Sequence, residues 1–204
     1  MSLELYAAFI LATVVLIAIP GPNVALIVAN SMARGVPYGL VTVAGTSTAM
    51  GLQLSATVLG LSGLLEVLAD GFERLRWAGV AYLVYLAIAA WRAPAPDLMA
   101  TTAKPLCARK MFVNGFIVSL TNPKTLLFYS AFLPQFVDGT ADRAAQLLVL
   151  AVTFLAIAVV LDCVWALLGA RMRAFLGRSG PLLNRITGGV LLGGAVGLAL
   201  ARKP

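Results

Sequence analysis

The sequence predicts an all-α integral membrane protein of six transmembrane helices, and three observations carry that expectation. Of its 204 residues, 61% are hydrophobic and 11% charged, with a mean hydropathy of +0.96. Soluble domains run at about 45–50% apolar and about 25% charged. A water-soluble fold this short could not hide so much apolar surface. The chain also contains repeated charge-free runs close to the roughly 20 residues that cross a hydrocarbon core. These runs are continuously apolar rather than alternating, which predicts helices and not a barrel.

The spans follow in order. Leu5–Ala33 and Gly35–Leu65 carry no charge and are longer than a crossing needs. Trp77–Trp91 is shorter, but Arg76 and Arg92 at its ends can snorkel to the interfaces. Met111–Val137 is uncharged apart from Lys124, and Ala144–Ala170 apart from Asp162. Ile186–Ala201 closes the set. The expected helices cover about 5–29, 39–65, 76–92, 112–136, 144–170 and 182–201 of one domain spanning 1–204. The longest connection, Arg92 to Lys110, contains Pro94, Pro96 and Pro105 and leaves no room for a soluble domain. Met1-Ser2-Leu3-Glu4 lacks a basic region, so the first span is expected to stay in the mature protein.

Basic residues give the orientation. Arg34, Arg92, Lys104, Arg109, Lys110, Arg171, Arg173, Arg178 and Arg185 fall on one side, nine in all. Arg74, Arg76, Arg143, Arg202 and Lys203 fall on the other, five in all. The first group is expected in the cytoplasm, with both termini outside, although Arg202 and Lys203 pull mildly the other way. The net charge of +7 thus marks loops, not a nucleic-acid surface. The chain has no histidine, which removes His-based metal sites, proton relays and triads together. Cys107 and Cys163 form no CxxC pair. We expect no cofactor, no metal and no enzyme activity.

Pro22-Asn23-Val24-Ala25-Leu26-Ile27 resembles Pro123-Lys124-Thr125-Leu126-Leu127-Phe128, which suggests that the spans divide as a 3+3 inverted repeat with broken helices in spans one and four. Chance similarity between apolar helices is the competing explanation. In span one, Pro20-Gly21-Pro22-Asn23 should interrupt the helix, with Pro22 opening a second half-helix. Its free amides and positive dipole end suit an anionic group; the blander alternative is a packing kink. In span four, Asn122 suits an N-cap and Pro123 the first helical position. Lys124 then lies mid-span, where a charge costs about 2.5–3.5 kcal/mol and calls for a partner or a wet cavity. Asp162 is the lone carboxylate within a span. Helical rise puts Asn23, Lys124 and Asp162 at a shared depth of roughly 13–18 Å, near the midplane where secondary transporters bind substrate. Thr42, Thr46, Gln53 and Thr57 form a polar stripe on span two. Thr46 and Gln53 could line a pathway, while bonding back to their own helix is an equal alternative. Gly45 and Gly51 suit close helix approach. Gly189, Gly193 and Gly197 make overlapping GxxxG steps, for which packing within the subunit is the commoner use and a homodimer face the rarer one.

These residues resemble the LysE/RhtB amino-acid exporter family. The likeness rests on Pro20-Gly21-Pro22-Asn23, on Arg34-Gly35 with Gly39, Gly45 and Gly51, and on Gly79 through Leu86. Its most specific stretch runs from Asn114-Gly115-Phe116 through Asn122-Pro123-Lys124 to Phe132-Leu133-Pro134-Gln135-Phe136, and Asp162 with Trp165-Ala166 and Arg171 completes it. Trp165 departs from the pattern, where a tyrosine is expected. The resemblance implies export of zwitterionic amino acids or small derivatives across a bacterial inner membrane, by proton antiport. It implies substrate contacts at Pro20, Gly21, Pro22, Asn23, Asn122, Pro123 and Lys124, and proton coupling at Asp162. A thiol/disulfide electron carrier would need a cysteine at each helix break, where Asn23 and Lys124 stand. A divalent-cation exporter would want several oxygen ligands, and only Asp162 offers a carboxylate. A scaffold without transport leaves the midplane charges unexplained.

Overall fold

Proline and glycine set where the helices begin and end. The computed structural model describes residues 1–59, 72–92, 107–129, 133–138, 142–176 and 180–200. Helix α1 (Leu3–Ala18) is capped by Ser2, whose hydroxyl accepts from the Leu5 amide at 3.2 Å. It stops because Ile19 precedes Pro20 and takes an extended conformation, φ −71° and ψ 118°. Helix α2 (Pro22–Arg34) restarts one residue after Gly21, bent by 52° from α1. At Gly35 φ is 97°, a region that favours glycine, and the chain turns there straight into α3 (Val36–Val58).

Helices α4 (Phe72–Arg92) and α5 (Ala108–Leu120) follow. The second break separates α5 from the short α6 (Pro123–Leu127), which runs into a π turn at Phe128–Tyr129. A 3₁₀ turn at Leu133–Phe136, α7 (Arg143–Leu176) and α8 (Gly180–Leu200) complete the described elements. No strand occurs among the described residues.

Helix α2 lies at the centre, buried from Pro22 through Ala29, against α3, α7 and α8. Helix α3 runs along α5 and α7, α4 along α8, and α1 packs chiefly on α7 and the 3₁₀ turn. Two glycines lock α3 to α5. A methyl group on Gly45 would collide with the Phe112 carbonyl, and one on Gly115 with the Thr42 carbonyl. Gly51 meets only ordinary contact with Leu155. On α8, Gly188 abuts the Trp91 ring. Gly189 and Gly193 are exposed with nothing among the described residues within 4 Å of an added methyl.

Large apolar side chains cover the outside as well as the core, and several polar ones are buried. Leu11, Val15, Val152, Val160 and Leu167 are exposed, while Asn23, Gln53, Asn122 and Asp162 are buried. Among the described residues, α7 is long and apolar enough to cross a membrane by itself, over Arg143–Met172, and α1 with α2 qualifies as one bent span. The last residues of the expected span 39–65, and Pro94, Pro96, Lys104, Pro105, Arg178, Arg202 and Lys203, lie outside the described residues.

Candidate functional site at the two helix breaks

The two breaks meet in space. A proline at the start of each resumed helix has no N–H to leave unbonded. At α6 the cap is Asn122, whose side-chain oxygen accepts from the Lys124 amide at 3.1 Å. The same oxygen-and-amide group reaches across the interior: Asn122 Nδ2 donates to Asn23 Oδ1 at 3.1 Å. Asn23 Nδ2 in turn donates to Ser119 Oγ at 3.1 Å, and Ser119 Oγ donates to the Thr46 carbonyl at 3.0 Å. One chain of hydrogen bonds thus ties α2 to α5, α6 and α3. Every member is buried, so each bond also spares a polar group an unsatisfied state.

Beside this network lies a cavity of about 30 Å³, room for one or two waters. Gly21, Asn23, Asn122, Lys124, Thr125 and Asp162 contribute to its wall, and Leu16, Ile17, Val24, Met50 and Ala158 make the remainder apolar. Of the residues singled out from sequence, Gly21, Asn23, Asn122, Lys124 and Asp162 therefore share one enclosure. Pro20 is exposed at the bend, Pro22 is buried as the first residue of α2, and Pro123 opens α6.

Lys124 and Asp162 face the same space without touching. Asp162 is 3% exposed and makes no hydrogen bond or salt bridge among the described residues. Half-buried Lys124 instead donates from Nζ to the Ile19 carbonyl at 2.5 Å, at the C-terminal end of α1 where the helix dipole favours a cation. Its aliphatic stem passes Gly21, whose missing side chain leaves it room: a methyl there would lie 3.5 Å from Lys124 Cδ. The two charges remain within electrostatic reach of one another.

Thr46 and Gln53 stand outside the cavity wall. Thr46 returns its hydroxyl to the Val43 carbonyl, and Thr42 and Thr57 bond back to Tyr38 and Gln53 in the same way. Gln53 Nε2 donates to the Leu120 carbonyl at 3.1 Å, holding the end of α5. Sequence reasoning passed over Ser119, Thr125 and Tyr129. Ser119 sits one turn before the Asn122 cap and Thr125 one turn after it, a spacing that could have flagged both. Exposed Cys107 and half-buried Cys163 lie away from both breaks in the chain.

Relatives place this arrangement in a family. The chain is 31% identical to a homoserine/homoserine lactone efflux protein of Salmonella typhimurium, over 98% of each chain. It is 29% identical to an uncharacterized membrane protein of Vibrio cholerae, over 99% of this chain and all of the other. A leucine efflux protein of Salmonella choleraesuis is 31% identical over 68% of this chain and 66% of its own. No solved structure matches. The family model described as LysE type translocator matches residues 14–202, nearly the whole length. This membrane protein belongs to the LysE type translocator family.

Proposed function

We propose that the protein exports neutral amino acids, or small derivatives of them, across the bacterial inner membrane by proton antiport. The observation that carries this reading is the cavity where both helix breaks, one cation and one carboxylate come together. Such a constellation suits a zwitterion. Lys124 and the first amides of α2 would hold the substrate carboxylate, and Asp162 its ammonium group. Leu16, Ile17, Val24, Met50 and Ala158 offer an apolar wall to the side chain, with no second acidic or basic group among the lining residues for a charged one. The efflux activities named for the Salmonella relatives agree with that class. A translocator, rather than an enzyme, is the reading that family membership supports.

The cavity is smaller than any amino acid, so loading requires its wall to move. Leu16 and Ile17 belong to α1, and the extended stretch at Ile19–Gly21 gives that helix a hinge. We assign the chain six spans arranged as a 3+3 inverted repeat, with breaks in spans one and four and both termini periplasmic; the nine-to-five distribution of basic residues supports that orientation. Asp162 serves as the proton-coupling group. The chain carries no phosphate-binding loop, so the proton gradient is the natural source of energy. An export panel tests the reading. Cells overproducing the protein should release, and resist toxic analogues of, homoserine, leucine and similar neutral amino acids. Equal sensitivity to every analogue with and without the protein would refute it.

A further inference from the structure

Tyr129 is a polar group for which the network above has no use. Its side chain is fully buried, and its hydroxyl has no hydrogen-bond partner among the described residues. A buried hydroxyl left unbonded is costly, and such groups call for an explanation. The ring is fixed edge-on against Phe154, centroids 5.1 Å apart and planes at 82°. Phe154, Ala158 and Asp162 follow one another at four-residue steps, so they share a face of α7. Asp162 lies at the cavity end of that face, likewise buried and likewise without a hydrogen bond among the described residues. The hydroxyl of Tyr129 is within electrostatic reach of that carboxyl. The π turn at Phe128–Tyr129 adds a local departure from regular helix geometry, of a kind that recurs at functional positions.

Two buried groups, one donor and one acceptor, thus lie on elements in contact through the Tyr129–Phe154 rings, each without a hydrogen bond among the described residues. We propose that Tyr129 is a positioning residue for transport, its hydroxyl donating to one oxygen of the Asp162 carboxylate while the other oxygen receives the substrate ammonium. The proposal rests on the reading of Asp162 as the coupling group. Of the titratable groups near Asp162, Lys124 approaches from α6 and Cys163 adjoins it on α7, while the cavity walls from α1, α2 and α3 bring none. A hydrogen bond to the charged form of a carboxyl favours that form. Tyr129 would therefore keep Asp162 ready for substrate until release lets it take a proton.

Tyr129→Phe removes the oxygen and nothing else. Wild type and variant, purified into liposomes, should be compared for counterflow of labelled homoserine or leucine, whichever the export panel shows to be carried. Membrane yield and monodispersity should match wild type, since no existing bond is lost. The pH dependence of counterflow should move to alkaline pH by about one unit, because a hydrogen bond to a charged group is worth about tenfold. Accumulation driven by an imposed pH gradient should fall about tenfold on the same grounds. Adding Tyr129→Phe to Asp162→Asn should cost nothing further, as expected for two residues acting through one interaction. An unchanged pH profile with unchanged accumulation overturns the proposal, and so does failure of Tyr129→Phe to fold, which would make the hydroxyl structural. If Asp162→Asn abolishes accumulation while Tyr129→Phe leaves it intact, only the role of Tyr129 falls. Accumulation surviving in Asp162→Asn removes both readings.

Discussion

The Lys124 ammonium is bonded to the Ile19 carbonyl, and not to Asp162, with which it shares a cavity. A fixed ion pair would have cost two desolvations and left neither charge available. As it is, Lys124 holds the end of α1 through a neutral acceptor that a substrate carboxylate can outcompete, because charge-assisted bonds are the stronger ones. Lys124→Gln keeps a donor but removes the charge. Export of carboxylate-bearing substrates should fall by roughly ten- to a hundredfold at matched expression, the range for losing a bond between charged groups. Release assays on whole cells would measure it.

Asp162→Asn is expected to separate movement from coupling. Downhill exchange in liposomes should persist, weakened by loss of the charge that holds the substrate ammonium and freed of the pH dependence that Asp162 imposes, while accumulation against a gradient, driven by an imposed pH difference, should disappear. Uphill accumulation by the variant would show that the proton is carried elsewhere.

Asn23 and Asn122 bridge the two breaks through a single 3.1 Å bond. Asn23→Ala strands the Asn122 amide in a buried place, while Ser119 keeps its bond to Thr46, and should cost about 1–3 kcal/mol of stability. Asn122→Ala additionally removes the α6 cap and should cost more. Thermal unfolding in detergent, followed by the loss of monodisperse protein, would rank them.

Glycine substitutions should divide by location. Alanine normally stabilises a helix relative to glycine by about 1 kcal/mol. At Gly45 and Gly115 that gain is overwhelmed by collision with the backbone of the facing helix, so folded yield should drop sharply. Gly193→Ala meets open space and should be tolerated or slightly stabilising.

The proposed orientation is open to labelling. With Cys107 and Cys163 replaced, Pro204→Cys should react with a membrane-impermeant thiol reagent in intact spheroplasts. Reaction only after lysis would reverse the topology.

How much of this was legible in the sequence depends on the range of the forces involved. The breaks were readable because their causes are local: Pro20 forbids helix at Ile19, and Asn122-Pro123 is a cap followed by a first turn. Counting helical rise put Asn23, Lys124 and Asp162 at one depth, but not on facing sides of their helices. Their partners were not readable. Nothing near Asn23 in the chain points to Ser119, which lies 96 positions away. The polar stripe on α3 suggested a pathway as readily as self-bonding, and Thr42, Thr46 and Thr57 bond to their own helix. Choosing between Gly188 and Gly189 as the packing glycine on α8 needs the rotation of the helix, which only the Trp91 contact supplies.

The interlocked glycines of α3 and α5 also decide which parts can travel. With Gly45 against the Phe112 carbonyl and Gly115 against that of Thr42, the two helices engage like gear teeth, and neither can slide without lifting off the other. They form a fixed frame. Helix α1, seated on α7 and the 3₁₀ turn and set off from α2 by a 52° bend, meets that frame at Ile19–Gly21, where Lys124 fastens its end.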